Sequence, residues 1–163
     1  MKLPTILPAM VLIVLLSFSC SSNSIEDEVA EITSSFVPET KTIEIEILEL
    51  INQHRINIGL PTLEDMSRIK AEAYTHTDYM IENEDVSHAN FFRRKTNLEN
   101  SVGAVRVSEN LAFGYTTAES VVNAWLNSEG HRENIEGEFT ASDISAEQDE
   151  EGKWYYTNIF VKK

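Results

Sequence analysis

A chain of 163 residues with 27 acidic and 13 basic side chains carries a net charge of −14 at pH 7. That surplus of carboxylates repels phosphate backbones, so nucleic acid is excluded as a partner. A single cysteine leaves no internal disulfide, so the fold must be held by packing alone, and the length suits one ordinary domain.

The N-terminus reads as an export signal. Met1-Lys2 is a short basic start, and Leu3 to Phe18 is apolar apart from Thr5 and Ser17, with Pro4 and Pro8 inside it. This run is shorter and more broken than the ~20 residues of a membrane span, and it fits the hydrophobic region of a secretory signal. It ends at Ser17-Phe18-Ser19-Cys20. A small residue just before a lone cysteine resembles a bacterial lipoprotein signal, which makes residues 1–19 the signal peptide and Cys20 the lipidation site. The competing reading is a free cysteine near an ordinary cleavage site. Several acyl chains on Cys20 would anchor firmly, at about 0.8 kcal/mol per buried methylene. The expected location is the cell envelope, membrane-anchored and facing the periplasm or the exterior. Residues 20–42 continue as an acylated cysteine and a flexible acidic tether, rich in Ser, Glu and Thr without periodicity.

Residues 43–163 form the domain. Ile43-Glu-Ile45-Glu-Ile47 alternates like a strand, but Ile47, Leu48, Ile51, Arg55 and Ile58 recur at helical spacing, with Gly59 as a stop before Pro61. A helix ending near Ile58 is expected. A second helix runs from Asp65 to about Asn83, capped by Glu64 or Asp65, with Met66, Ile69, Ala73, His76 and Met80 on one stripe. His76 on that apolar face reads as a core histidine. Val102 to Val107 reads as a strand leading into Glu109. Thr116 and Glu119 have capping-box spacing, and Ala118, Val121, Val122 and Trp125 form the apolar stripe of a third helix that ends by Gly130. A further short helix is expected from Arg132. Phe139–Gln148 and Lys153–Val161 read as strands joined by a turn at Asp149-Glu-Glu-Gly152, with Gly152 at positive φ. Helices early and an antiparallel sheet late give an α+β class.

Three motifs in order carry a resemblance. They are Val86-Ser87-His88, then Ser108-Glu109-Asn110-Leu111-Ala112, then Trp125-Leu-Asn-Ser-Glu-Gly-His131-Arg132-Glu-Asn134. With Asn52-x-x-Arg55 and Gly59-Leu60-Pro61 ahead of them, they resemble the CAP superfamily (cysteine-rich secretory proteins, antigen 5, pathogenesis-related 1) in its compact bacterial form, over about residues 43–163. The resemblance implies an α-β-α sandwich, with an antiparallel sheet between helical layers. It also implies that His88, Glu109 and His131, on three separate loops, line one cleft. The family often has a second acid three residues beyond the tryptophan. That position here is Ser128, and the adjacent Glu129 would point about 100° away on a helix.

Two neutral imidazoles and a carboxylate make a reasonable shell for zinc or another divalent ion. Glu109 could instead orient one of the histidines by a hydrogen bond, or the three residues could simply stitch loops together. No nucleophile is fixed by the sequence, and no reaction follows from the fold. Asn110, Arg132 and Asn134 are expected to brace loops, and Trp125 to be core. His54 reads as solvated, and Phe91-Phe92 as either a cleft wall or a core plug. Arg93-Arg94-Lys95, the one basic run, reads as a solvated loop. Three function classes stay open: an envelope module binding a small or lipidic ligand, perhaps with a metal; a peptidase-like hydrolase using the same cleft; and an interaction or scaffolding protein with a vestigial cleft.

Overall fold

The computed structural model describes residues 37–163; the signal, Cys20 and most of the tether lie outside the described residues. The elements are α1 (Thr42–Asn57), α2 (Ser67–Glu82), α3 (Phe91–Val102), β1 (Arg106–Phe113), α4 (Ala118–Asn127), α5 (Glu129–Ile135), β2 (Ala141–Gln148) and β3 (Trp154–Lys162). The three strands form an antiparallel sheet in the order β1-β3-β2.

Period-2 alternation along the central strand β3 explains the layers. Tyr156 and Phe160 pack with Ile47 and Ile51 of α1, Val121 and Trp125 of α4, and Ile135 of α5. Ile159 and Val161 face Ile69 and Ala73 of α2 and Leu98 of α3. The sheet thus lies between two helical layers, as an α-β-α sandwich should. Trp125 is buried, and its indole N–H donates to the Leu111 carbonyl at 2.8 Å, so its one polar atom is satisfied.

The buried stripe of α1 is Glu44, Ile47, Ile51 and Arg55, with an apolar middle and a charge at each end. Arg55 donates to the carbonyls of Pro61, Ile135, Gly137 and Phe139. In a chain without disulfides, this guanidinium ties the first helix to the turns flanking α5. Glu44 accepts from the Ala146 backbone N–H at 2.8 Å and pairs with the buried Lys70 ammonium of α2, so a desolvated ion pair links α1, α2 and β2.

Several local expectations shift. The cap of α2 is Met66 rather than Glu64 or Asp65, and its backbone N–H is taken by the Asp143 carboxylate at 3.2 Å. The cap of α4 is Thr117, one residue later than the Thr116–Glu119 spacing suggests, in a reciprocal pair with Ser120. Val102 closes a helix instead of opening a strand: Gly103 at φ 71° reverses the chain, and β1 begins at Arg106. The last hairpin matches its reading. Gly152 has φ 78°, and the Asp149 carboxylate accepts from the N–H groups of Glu151 and Lys153. A side chain in that left-handed conformation costs about 1–2 kcal/mol.

Candidate functional site

The site lies at the β1 edge of the sheet, where β1 meets α3 and α5. Glu109 sits inside β1 rather than on a loop, paired across the ladder with Ile159. Its carboxylate points into the layer of α2 and α3. There the chain supplies a partner that sequence reasoning missed. The run Arg93-Arg94-Lys95 is not a solvated loop but the first turn of α3, and Arg94 is buried. Arg94 Nε donates to Glu109 Oε2 at 3.1 Å, and Nη2 donates to Oε1 at 2.7 Å and to Oε2 at 2.8 Å. Its remaining nitrogen donates to the Ala89 carbonyl at 2.7 Å. A fork of this kind fixes a carboxylate in both position and plane.

The same carboxylate holds His88. His88 Nδ1 lies 2.7 Å from Glu109 Oε1, and the side chains are 58% and 2% exposed respectively. An immobilised, desolvated carboxylate thus holds an imidazole out into solvent. The loop carrying His88 is braced from behind. His76 on α2 donates through Nε2 to the Ser87 carbonyl at 2.8 Å. As read from its stripe, His76 is a core histidine with one nitrogen satisfied. Burial, reinforced by the Arg94 charge, pushes its pKa down to about 4, so it is a neutral strut at pH 7. Asn90 then turns the chain into α3 with φ 59°, a left-handed conformation that asparagine tolerates.

His131 approaches from the other helical layer. It belongs to α5, which starts at Glu129, so Gly130 does not end the preceding helix; α4 stops at Asn127 and Ser128 caps both helices. A polar seam fixes α5 against β1. Asn110 donates to the His131 carbonyl at 3.0 Å. Asn134 donates to Asn110 Oδ1 at 2.8 Å and to the Glu109 carbonyl at 3.3 Å, and accepts from Ser108 Oγ. Arg132 donates to the Leu126 carbonyl at 2.9 Å. Asn110, Arg132 and Asn134 are the braces expected of them. Half-buried His131 has its pKa lowered by desolvation and by the charge of nearby His88, which keeps it neutral at physiological pH. Ser128 is half-buried and makes no side-chain cap bond, and Glu129 is exposed in the first turn of α5.

Other expectations resolve residue by residue. His54 is not simply solvated: its Nε2 lies 2.9 Å from Glu136. Phe91 packs against the α2–α3 core, whereas Phe92 is 80% exposed. The donor set fits a metal poorly. Both oxygens of Glu109 already face the Arg94 guanidinium, and among the described residues no three His, Cys, Asp or Glu side chains stand together to hold an ion. The imidazoles of His88 and His131 are the donors left over.

Residues 48–160 match the profile described as the cysteine-rich secretory protein family, CAP. The membrane protein YlbC of Bacillus subtilis is 32% identical over 126 residues, which span 75% of this chain but only 35% of YlbC. Among solved structures, an outer surface protein of Borrelia burgdorferi superposes with a TM-score of 0.69 at 22% identity, covering 77% of this chain and 96% of that one. An extracellular SCP-domain protein of Bacillus anthracis superposes with a TM-score of 0.65 at 27% identity, over 74% of this chain and 40% of the other. The match to the family profile, carried by the segment that holds His88, Glu109 and His131, establishes that this chain belongs to the cysteine-rich secretory protein (CAP) family.

Proposed function

We propose that the protein is an envelope-located binding module that takes up a small or lipidic ligand at His88 and His131. One observation carries this reading: a buried carboxylate, clamped by Arg94, holds the exposed His88 ring in a fixed orientation. Exposed Phe92, four residues beyond His88 in the chain, offers apolar surface for a lipidic portion.

Binding of a fluorescent fatty acid, followed by anisotropy, tests the site. His88→Ala and His131→Ala should each weaken the interaction about tenfold or more, or about 1.4 kcal/mol. The melting temperature should change little, because neither substitution opens a large cavity. Large unfolding with no change in any ligand's affinity would instead favour a purely structural cluster.

A second reading has its own support. A histidine whose Nδ1 is held by a carboxylate and whose Nε2 is open has the arrangement of an oriented general base. The corresponding function is a peptidase-like hydrolase, and turnover of peptide substrates that disappears in His88→Ala would establish it.

For location, relatives described as a membrane protein, an outer surface protein and an extracellular protein support the envelope. Among the described residues no helix is long and apolar enough to cross a membrane. We assign anchoring to acylation of Cys20, because this lone cysteine directly follows the apolar N-terminal run. The protein should sediment with membranes, and Cys20→Ser should release it or block its processing. A soluble native protein with an unmodified Cys20 would overturn the anchor.

A further inference from the structure

One hollow of the domain lies away from the histidines. It is a groove of about 770 Å³ along the outer side of α1, completed by the segment around Leu63, by β2 and by α4. β2 and β1 are opposite edges of the sheet, with β3 between them, so the groove and the His88 site are separate.

Two properties of its lining stand out. The first is apolar surface on the solvent side of a helix. Ile45, Leu48 and Ile56 line the groove, and Ile45 and Ile56 are 47% and 53% exposed. Ile45, Glu49, Asn52 and Ile56 recur at i, i+4, i+7 and i+11, so they form one stripe of three turns, roughly 16 Å long at the usual helical rise. The buried stripe of α1 is a different one, so nothing in the domain's own core requires isoleucine at these positions.

The second property is charge of one sign. Glu46, Glu49, Asp65, Glu119 and Asp143 line the groove, and no Lys, Arg or His does. Among the described residues, Glu46, Glu49, Asp65 and Glu119 have no ion-pair partner. This charge selects the occupant. The chain's own tether, with Glu26, Asp27, Glu28 and Glu31, is acidic and would be repelled, and so would a second copy bringing the same face.

We propose that the α1 groove docks a basic amphipathic helical segment of a partner protein. Its apolar face would lie along Ile45 and Ile56, and its Lys or Arg side chains would reach Glu46, Glu49, Asp65 and Glu119. This is the helix-in-groove mode, with charge complementarity setting partner choice.

The probe is a fluorescein-labelled leucine–lysine helical peptide of about four turns, titrated with the full chain and followed by anisotropy. Binding should weaken as salt rises from roughly 0.01 to 0.15 M. The double variant Glu49→Lys/Ile56→Lys should weaken binding about tenfold or more. Both side chains are exposed, so the fold is retained. A control with the same number of added lysines at the last residue of α2 and in the turn after it, Glu82→Lys/Glu84→Lys, should bind like the wild type, as should His88→Ala. Equal binding of an all-lysine peptide, or equal loss in the control variant, would reduce the effect to general attraction to an acidic protein and overturn the proposal. Absence of binding at low salt, or a dimer in sedimentation that competes with the peptide, would overturn it too.

Discussion

Arg94→Met should destabilise the domain by about 3–5 kcal/mol, the usual result of removing one partner from a buried ion pair. The substitution leaves the Glu109 carboxylate in the α2–α3 layer at 2% side-chain exposure, with only an exposed imidazole beside it. The carboxylate cannot move to water, because its backbone is fixed in the ladder opposite Ile159. For a domain of this size the loss corresponds to a fall in melting temperature of roughly 10–20 °C. The double variant Arg94→Met/Glu109→Leu removes both charges and should regain most of the stability, since apolar replacements of a buried pair are often neutral. Binding at His88 should not return with it, because nothing then orients the Nδ1 edge. Thermal melts of the three proteins, set against their ligand affinities, separate the structural part of this pair from its positioning part. If the single variant melted like the wild type, Glu109 would have to be neutral or solvated.

Acid should expose a second balance. His76 has its pKa lowered from 6.5 to about 4, chiefly by burial. The unfolded chain therefore takes up a proton that the folded one refuses, and stability is lost as pH falls from 6.5 towards 4, by about 3 kcal/mol in all. Asp143 behaves in the opposite sense. Burial raises its pKa from 3.8 to about 6, against the N–H bonds from Ile144 and Met66 and the charge of Lys70. Its penalty is present at neutral pH and is relieved as pH falls from about 6 to 4, by about 3 kcal/mol. The two nearly cancel over the same window. Between pH 7 and pH 4, Asp143→Asn should therefore lose about 3 kcal/mol more than the wild type, and His76→Gln about 3 kcal/mol less. Urea midpoints measured across that range decide it. Parallel curves for the three proteins would mean that neither group titrates in the folded state as its burial requires.

The parts of the fold that were legible in the sequence are those where apolar residues alone fill the interior. Ile69, Ala73 and Met80 mark α2, Val121 and Trp125 mark α4, and the aromatic run of β3 marks a central strand. The illegible parts are those where polar side chains take interior positions, with partners brought from distant elements. α3 shows why. Its inward stripe is Phe91, Arg94, Leu98 and Val102, and the arginine hides the period unless one already knows that a carboxylate waits opposite. β1 is harder still, because Ser108, Glu109 and Asn110 replace the alternating apolar residues that announce a strand. Their partners come from outside the sheet: α5 for Ser108, α3 and the His88 loop for Glu109, and the backbone of α5 for Asn110. The family motifs supplied His88, Glu109 and His131, but not the arginine that clamps Glu109 and, through it, His88. A basic residue falling on an apolar helical stripe was the available signal, and Arg55 in α1 carries the same one.

The strand order has a consequence for how the protein comes to exist. β3 lies between β1 and β2, yet both neighbours precede it in the chain. No rung of the ladder can close until β3 has been synthesised, and closing β1 onto it spans the whole segment that includes α4, α5 and β2. Such non-local pairing is slow, on the order of milliseconds to seconds. A nascent chain that cannot complete its sheet stays open while it emerges, and an open chain is the form in which a polypeptide passes through a narrow export pore.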